Sequence, residues 1–157
     1  MSPRCMHLST EEYPSLEDRG PRYDVPGFEP IYRLKPYAFW YSIDDRYLQS
    51  LSEQDALTRY EFEVHLGETS MVHLTSGSEV LEFTARFGSR ADIDWEAVVA
   101  EYSGVELNPY VCAIAKQIQW YHMWEYACGA IWRVHNLVLT PRGRVDRARY
   151  RGVRNGG

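Results

Sequence analysis

A single carboxylate, Glu106, stands at the centre of an apolar strand pattern, Val105-Glu106-Leu107, within Tyr102-Ser-Gly-Val-Glu-Leu. On a strand its side chain points away from the face on which Val105 and Leu107 pack. Trp95, Trp120, Trp124 and Trp132, four of the five tryptophans, lie in the same part of the chain. A carboxylate in an aromatic cleft has its pKa raised by desolvation and lowered by a hydrogen-bonding partner. Held in place, it stabilises positive charge that develops beside it. The plainer alternative is an acid facing water on a sheet. Arg33, among Ile31, Tyr32 and Leu34, could clamp a phosphate with its planar fork or stack on a ring. It could equally extend its stem along a sheet edge. Ser42 follows Phe39-Trp40-Tyr41 directly and offers a hydroxyl that either orients a neighbour or caps a helix.

Other chemistry is excluded or weaker. The chain contains no Gly-x-Gly-x-x-Gly, Walker loop, His-Glu-x-x-His or Gly-x-Ser-x-Gly pattern. With only Lys35 and Lys116, P-loop and Schiff-base enzymes are disfavoured. His65 and His73, with Glu61 or Glu63, could meet across a hairpin and bind a metal. Two solvent-facing histidines are the simpler reading, so no metal is expected.

These residues need elements to position them. Glu29 to Lys35 reads as a strand ended by Pro36, and Tyr37 to Ile43 as a second, aromatic strand. Asp44 and Asp45 suit a short helix running to about Leu51. Phe62, Val64 and Leu66 alternate with Glu61, Glu63 and His65, which predicts a half-buried strand. Gly67-Glu68 would turn it into a hairpin with Met71–Leu74. Ser76-Gly-Ser-Glu79 has the form of a capping box opening a helix to about Phe87, with Val80, Leu81, Phe83, Thr84 and Phe87 inward. Asp94 caps the next helix, which Gly104 follows. Periodicity leaves Tyr110 to Ala127 open between helix and irregular structure, and Gly129 to Leu139 contains a strand, Ile131–Val138 at its widest. Interspersed strands and helices with a central hairpin predict an α+β domain with mainly antiparallel or mixed small sheets and flanking helices.

The 157 residues fit one core. Residues 1–27, rich in Pro and charge, are expected to be disordered, residues 28–139 to form the domain, and residues 140–157 to be a basic disordered tail. Of 17 Lys+Arg and 22 Asp+Glu, six arginines and one acid fall in that tail, which leaves a net charge of −10 on the rest. Such a tail either binds nucleic acid, stays solvated, or folds back onto the acidic body. No run approaches the ~18 apolar residues of a membrane span. Three cysteines without close pairs, and no basic-then-apolar leader pattern, suggest a reducing, cytoplasmic setting.

Arg33, the Phe39-Trp40-Tyr41-Ser42 strand and Glu106 together resemble the ADP-ribosyltransferase family, small phage-encoded or toxin-like members in particular. In that family an Arg or His sits on the first core strand. An aromatic strand ending in Ser, Thr or Tyr follows, and a Glu lies on a late strand; Gly129-Ala-Ile-Trp132 is similar to a closing strand. The resemblance implies NAD as substrate, with Arg33 on the diphosphate and Ser42 orienting Glu106 or the nicotinamide ribose. Trp40, Tyr41 or Tyr110 would stack on nicotinamide, and Glu106 would serve as the catalytic carboxylate. The chain departs from the pattern at Gly104, where members that modify Arg or Asn carry Gln or Glu, and in having only Tyr41-Ser42 for Ser-Thr-Ser. The acceptor stays open, a protein side chain ahead of a nucleic acid. The alternative is a non-catalytic phage or mobile-element accessory protein that binds a partner through the aromatic surface at 120–132.

Overall fold

The computed structural model describes residues 4–19 and 35–156. Arg33, and all but the last residue of the strand expected at Glu29–Lys35, lie outside them. The strands are β1 (Cys5–Ser9), β2 (Phe39–Ile43), β3 (Tyr60–His65), β4 (Met71–Leu74), β5 (Gly104–Leu107), β6 (Cys128–Ile131) and β7 (Val138–Arg144). The helices are α1 (Glu53–Leu57), α2 (Gly77–Phe87), α3 (Trp95–Glu101), α4 (Cys112–Ala115), α5 (Gln119–His122) and α6 (Arg147–Gly156), with a 3₁₀ turn at Arg46–Gln49. Together they make an α+β fold with one mixed sheet, in the order β4-β5-β6-β2-β1-β3-β7. Every neighbouring pair is antiparallel except β4 and β5, which are parallel. A parallel pair needs a long crossover, and α2 and α3 supply it.

The fold departs from three expectations. The segment Cys5–Ser9, inside the stretch expected to be disordered, is an inner strand of the sheet between β2 and β3. The tail is also ordered: β7 is the edge strand next to β3, and α6 packs through Tyr150 into a cluster with Met6, Tyr47, Leu48 and Ala56. The hairpin at 60–74 does not form, since β4 pairs with β5 at the opposite end of the strand order.

That last relationship shapes the sheet. Five strand spacings separate β3 from β4, about 24 Å if flat. The chain from His65 to Met71 spans about 21 Å at full stretch. The sheet therefore curls, bringing Val64, Leu66 and Met71 into one cluster with Phe39, Tyr41, Ile43 and Ile131 on its inner face.

The outer face carries the larger core. Val105, Leu107, Cys128 and Ala130 meet Trp95, Trp120, Trp124, Trp132 and the apolar side of α2. Ser76 caps α2 by accepting from the Glu79 N–H, and Asp94 caps α3 by accepting from the Ala97 N–H, as their positions suggest. Leu81, expected inward, is 41% exposed, because the buried side of α2 is set by Val80, Phe83, Thr84 and Phe87. Tyr110 to Ala127 resolves into α4 and α5; the strand expected within Gly129–Leu139, Ile131–Val138 at its widest, does not form, because residues 132–137 are the connection between β6, which ends at Ile131, and β7, which begins at Val138. No helix among the described residues is long and apolar enough to cross a membrane.

Candidate active site

Strand alternation decides which side chains share a site. On β2, Phe39, Tyr41 and Ile43 point inward, while Trp40 and Ser42 point outward. Cross-strand partners share a face, and the register sets Tyr41 opposite Gly129 on β6, and Gly129 opposite Glu106 on β5. Tyr41 and Glu106 therefore lie on the inner face, two strands apart. The Tyr41 hydroxyl donates to Glu106 Oε2 at 2.7 Å. The ring reaches that far because residue 129 has no side chain; a Cβ there would stand 2.0 Å from Tyr41 Cζ.

The same row continues on both sides. His73 on β4 is opposite Glu106, with Nδ1 3.9 Å from Oε2. The Glu106 side chain is 13% exposed and that of His73 56%, so the carboxylate opens to solvent on the His73 side. Beyond Tyr41, the β1–β2 register of Cys5 with Ile43 and Met6 with Ser42 brings His7 next to Tyr41. The His7 ring stacks on Phe39 at 4.0 Å between centroids, and Nδ1 lies 2.6 Å from the Trp40 carbonyl oxygen. A carbonyl only accepts, so Nδ1 carries the proton and Nε2 keeps its lone pair. Burial pushes the His7 pKa down to about 4, with the Trp40 carbonyl opposing it. His7 is thus neutral at pH 7.

The other groups at this end of the inner face are set by burial and by Glu106. The Tyr41 phenol is raised well above its usual range, first by burial and then by the charge of Glu106. It remains a donor to the carboxylate at any physiological pH. Burial, and after it Glu106, pushes the Cys5 thiol up to about 12, so Cys5 is no thiolate nucleophile.

The residues expected to converge divide between the two faces. Glu106 and Tyr41 come together. Ser42 faces outward, 3% exposed, and its hydroxyl donates to the Asp44 carbonyl at 3.1 Å, so it does not orient Glu106. Trp40 is also outward, edge-on to Trp124 at 4.8 Å. Tyr110 stacks on Tyr121 at 4.7 Å, and its hydroxyl donates to the carbonyls of Tyr121 and His122, so it holds α5 in place. Arg33 lies outside the described residues. His7 was missed because a Pro- and charge-rich flank hid a five-residue strand. The local signal was its alternation, with Met6 and Leu8 on one side and Cys5 and His7 on the other.

The tryptophans at 120–132 do not form an exposed aromatic face. Trp120, Trp124 and Trp132 are at most 2% exposed. Trp120 Nε1 donates to Thr84 Oγ1, and Trp132 Nε1 to the Tyr102 carbonyl. His65 and His73 lie on β3 and β4, apart in the sheet, and no three potential ligands cluster to hold a metal among the described residues.

The arginines of β7 and α6 are engaged with the acidic body. Arg149 binds the buried Glu61 and Asp45, and Arg142 binds Glu63. Arg147 and Arg151 approach Glu53, at 3.5 and 3.2 Å. Arg144 donates to the Tyr60 hydroxyl and Arg154 to the Gln49 carbonyl. Four of these six arginines are thus matched to carboxylates, while Arg144 and Arg154 meet neutral oxygens. No family model, curated protein or solved structure matches this chain.

Proposed function

We propose that this chain is an NAD-consuming ADP-ribosyltransferase with its centre at Glu106, positioned by Tyr41. The observation that carries the reading is the row His7, Tyr41, Glu106 on one sheet face, closed by the 2.7 Å Tyr41–Glu106 hydrogen bond. It fits the resemblance better than the residues first matched to it. The first strand of the sheet carries His7 where the family pattern has Arg or His. The aromatic strand supplies Tyr41, rather than Ser42, as the hydroxyl beside the late-strand carboxylate.

NAD supplies the electrophile: its glycosidic bond to nicotinamide breaks, the bonding pair leaves with nicotinamide, and the acceptor's lone pair takes the anomeric carbon while its proton is released. Glu106 would accept from a ribose hydroxyl and stabilise the positive charge that develops on the ring. Tyr41 holds the carboxylate in one rotamer, so that little reorganisation accompanies the reaction. The bare Nε2 of neutral His7 is a second acceptor for a substrate hydroxyl. A protein side chain is the favoured acceptor, since four of the six arginines that would grip a nucleic acid are paired with carboxylates of the chain itself. The test is release of nicotinamide from NAD in the presence of a broad protein acceptor mixture. Folded protein that leaves NAD intact overturns the reading.

A further inference from the structure

On the opposite face of the sheet lies a cavity of about 390 Å³, floored by β1 and β2 and lined by Leu8, Trp40, Trp124, Tyr126, Lys35 and Arg59 among others. Its size is within the range of small-molecule sites, about 300–1,000 Å³. Its walls are aromatic, and its cations differ from those of the C-terminal segment. The six tail arginines all have acidic, hydroxyl or carbonyl partners. Lys35 and Arg59 have no carboxylate partner among the described residues. The Lys35 ammonium instead rests 5.6 Å from the centre of the Trp40 ring. Glu125, the acid at this cavity, is exposed.

Position within the sheet separates the two cations. Lys35 sits over Trp40 on β2, and Arg59 immediately precedes β3. With β1 between these strands, they stand two strand spacings apart, about 10 Å. A flat ring laid on the Trp40 and Tyr126 side would meet aromatic faces and a cation. An anionic group carried toward β3 would meet the Arg59 fork, which matches phosphate geometry. We infer that this outer-face cavity binds a phosphorylated aromatic ligand of nucleoside-monophosphate size, in a site separate from Glu106. The sheet lies between the two: by the strand registers Trp40 and Ser42 share this face and Tyr41 and Glu106 the other, so His7 and Tyr41, which also line the cavity, belong to its β1–β2 floor. The inference is independent of the transferase reading.

The experiment is calorimetric titration of the intact protein with adenosine 5′-monophosphate, adenosine and inorganic phosphate. The nucleotide is expected to bind saturably below millimolar concentration. Adenosine and phosphate should each bind at least ~10-fold more weakly, because each lacks one of the two recognised parts. Arg59→Gln and Lys35→Gln, both partly exposed and outside the core clusters, should each weaken nucleotide binding ~10-fold with an unchanged circular dichroism spectrum. Glu106→Gln should leave it as it is. Absence of saturable binding overturns the inference. So does binding that survives both substitutions, phosphate that binds as tightly as the nucleotide, or loss of binding in Glu106→Gln. Failure of NAD cleavage would overturn the transferase reading and leave this one standing.

Discussion

Tyr41 reaches Glu106 by lying across Gly129, so two residues on strands that are not neighbours share a 2.7 Å hydrogen bond. The contact depends on three sequence positions at once: an aromatic hydroxyl on β2, a glycine on β6 and an acid on β5. Gly129 is needed for the space it leaves, since a Cβ would overlap the Tyr41 ring.

Replacing that glycine separates the two ends of the contact. In Gly129→Ala the methyl meets a buried ring packed against Phe39 and Ile131, which cannot withdraw freely. Overpacking of this kind costs about 1–3 kcal/mol. Denaturant unfolding should show that loss, and nicotinamide release should fall further than stability does, because Tyr41 no longer holds Glu106. A variant with wild-type stability would contradict the geometry.

Glu61 is 1% exposed and held by the Tyr47 hydroxyl at 2.6 Å and by Arg149. Arg149 remains charged: burial works against it, and the hydrogen bonds to Glu61 and Asp45 raise its pKa. Arg149→Met strands the carboxylate, which costs about 3–5 kcal/mol. Glu61→Leu in the same chain should recover much of the loss, since no buried charge is then left unpaired. A double-mutant cycle in urea measures the coupling, and additivity would show that α6 is not anchored here.

The fold should weaken in mild acid through His7. Its folded pKa is about 4 against the ordinary 6.5. Between those values the unfolded chain binds the proton and the folded one does not, so stability falls as pH drops from about 6.5 to about 4, then levels. The loss attributable to His7 approaches ~3 kcal/mol. In His7→Gln, unfolding free energy measured across this window should be correspondingly flatter. An unchanged slope would mean that His7 is not the group responsible.

Alkylation should discriminate among the three thiols. Burial raises both Cys5 and Cys128 to about 12, whereas Cys112 is exposed. Mass spectrometry after brief iodoacetamide treatment at pH 8 should find Cys112 modified and the other two labelled only on unfolding.

The caps at Ser76 and Asp94, the alternation of β3 and the place of Glu106 on a short strand are legible, because each is written in adjacent residues. Alternation places Tyr41 and Ser42 on opposite faces of β2 without saying which face the distant Glu106 shares; only the β2–β6–β5 register decides that. The 60–74 hairpin was a sound local inference from Gly67-Glu68, overridden by the non-local pairing of β4 with β5. The structure of the tail is not visible in its charge composition, which is blind to partners: Arg142 and Arg149 pair with Glu63 and Glu61, some eighty residues earlier. The tryptophans at 120, 124 and 132 are a core, as their burial and satisfied Nε1 groups at 120 and 132 require.

The role of Glu106 is tested by single-turnover nicotinamide release from wild-type, Glu106→Gln and Tyr41→Phe proteins whose folding is verified by circular dichroism. Wild-type protein should release nicotinamide, with a drop on the order of 10²–10³-fold in Glu106→Gln, as for loss of one preorganised charge-stabilising group. Tyr41→Phe should show a smaller drop, since the carboxylate remains but is no longer held. Release that is absent from wild-type protein, or unchanged in Glu106→Gln, would contradict that role.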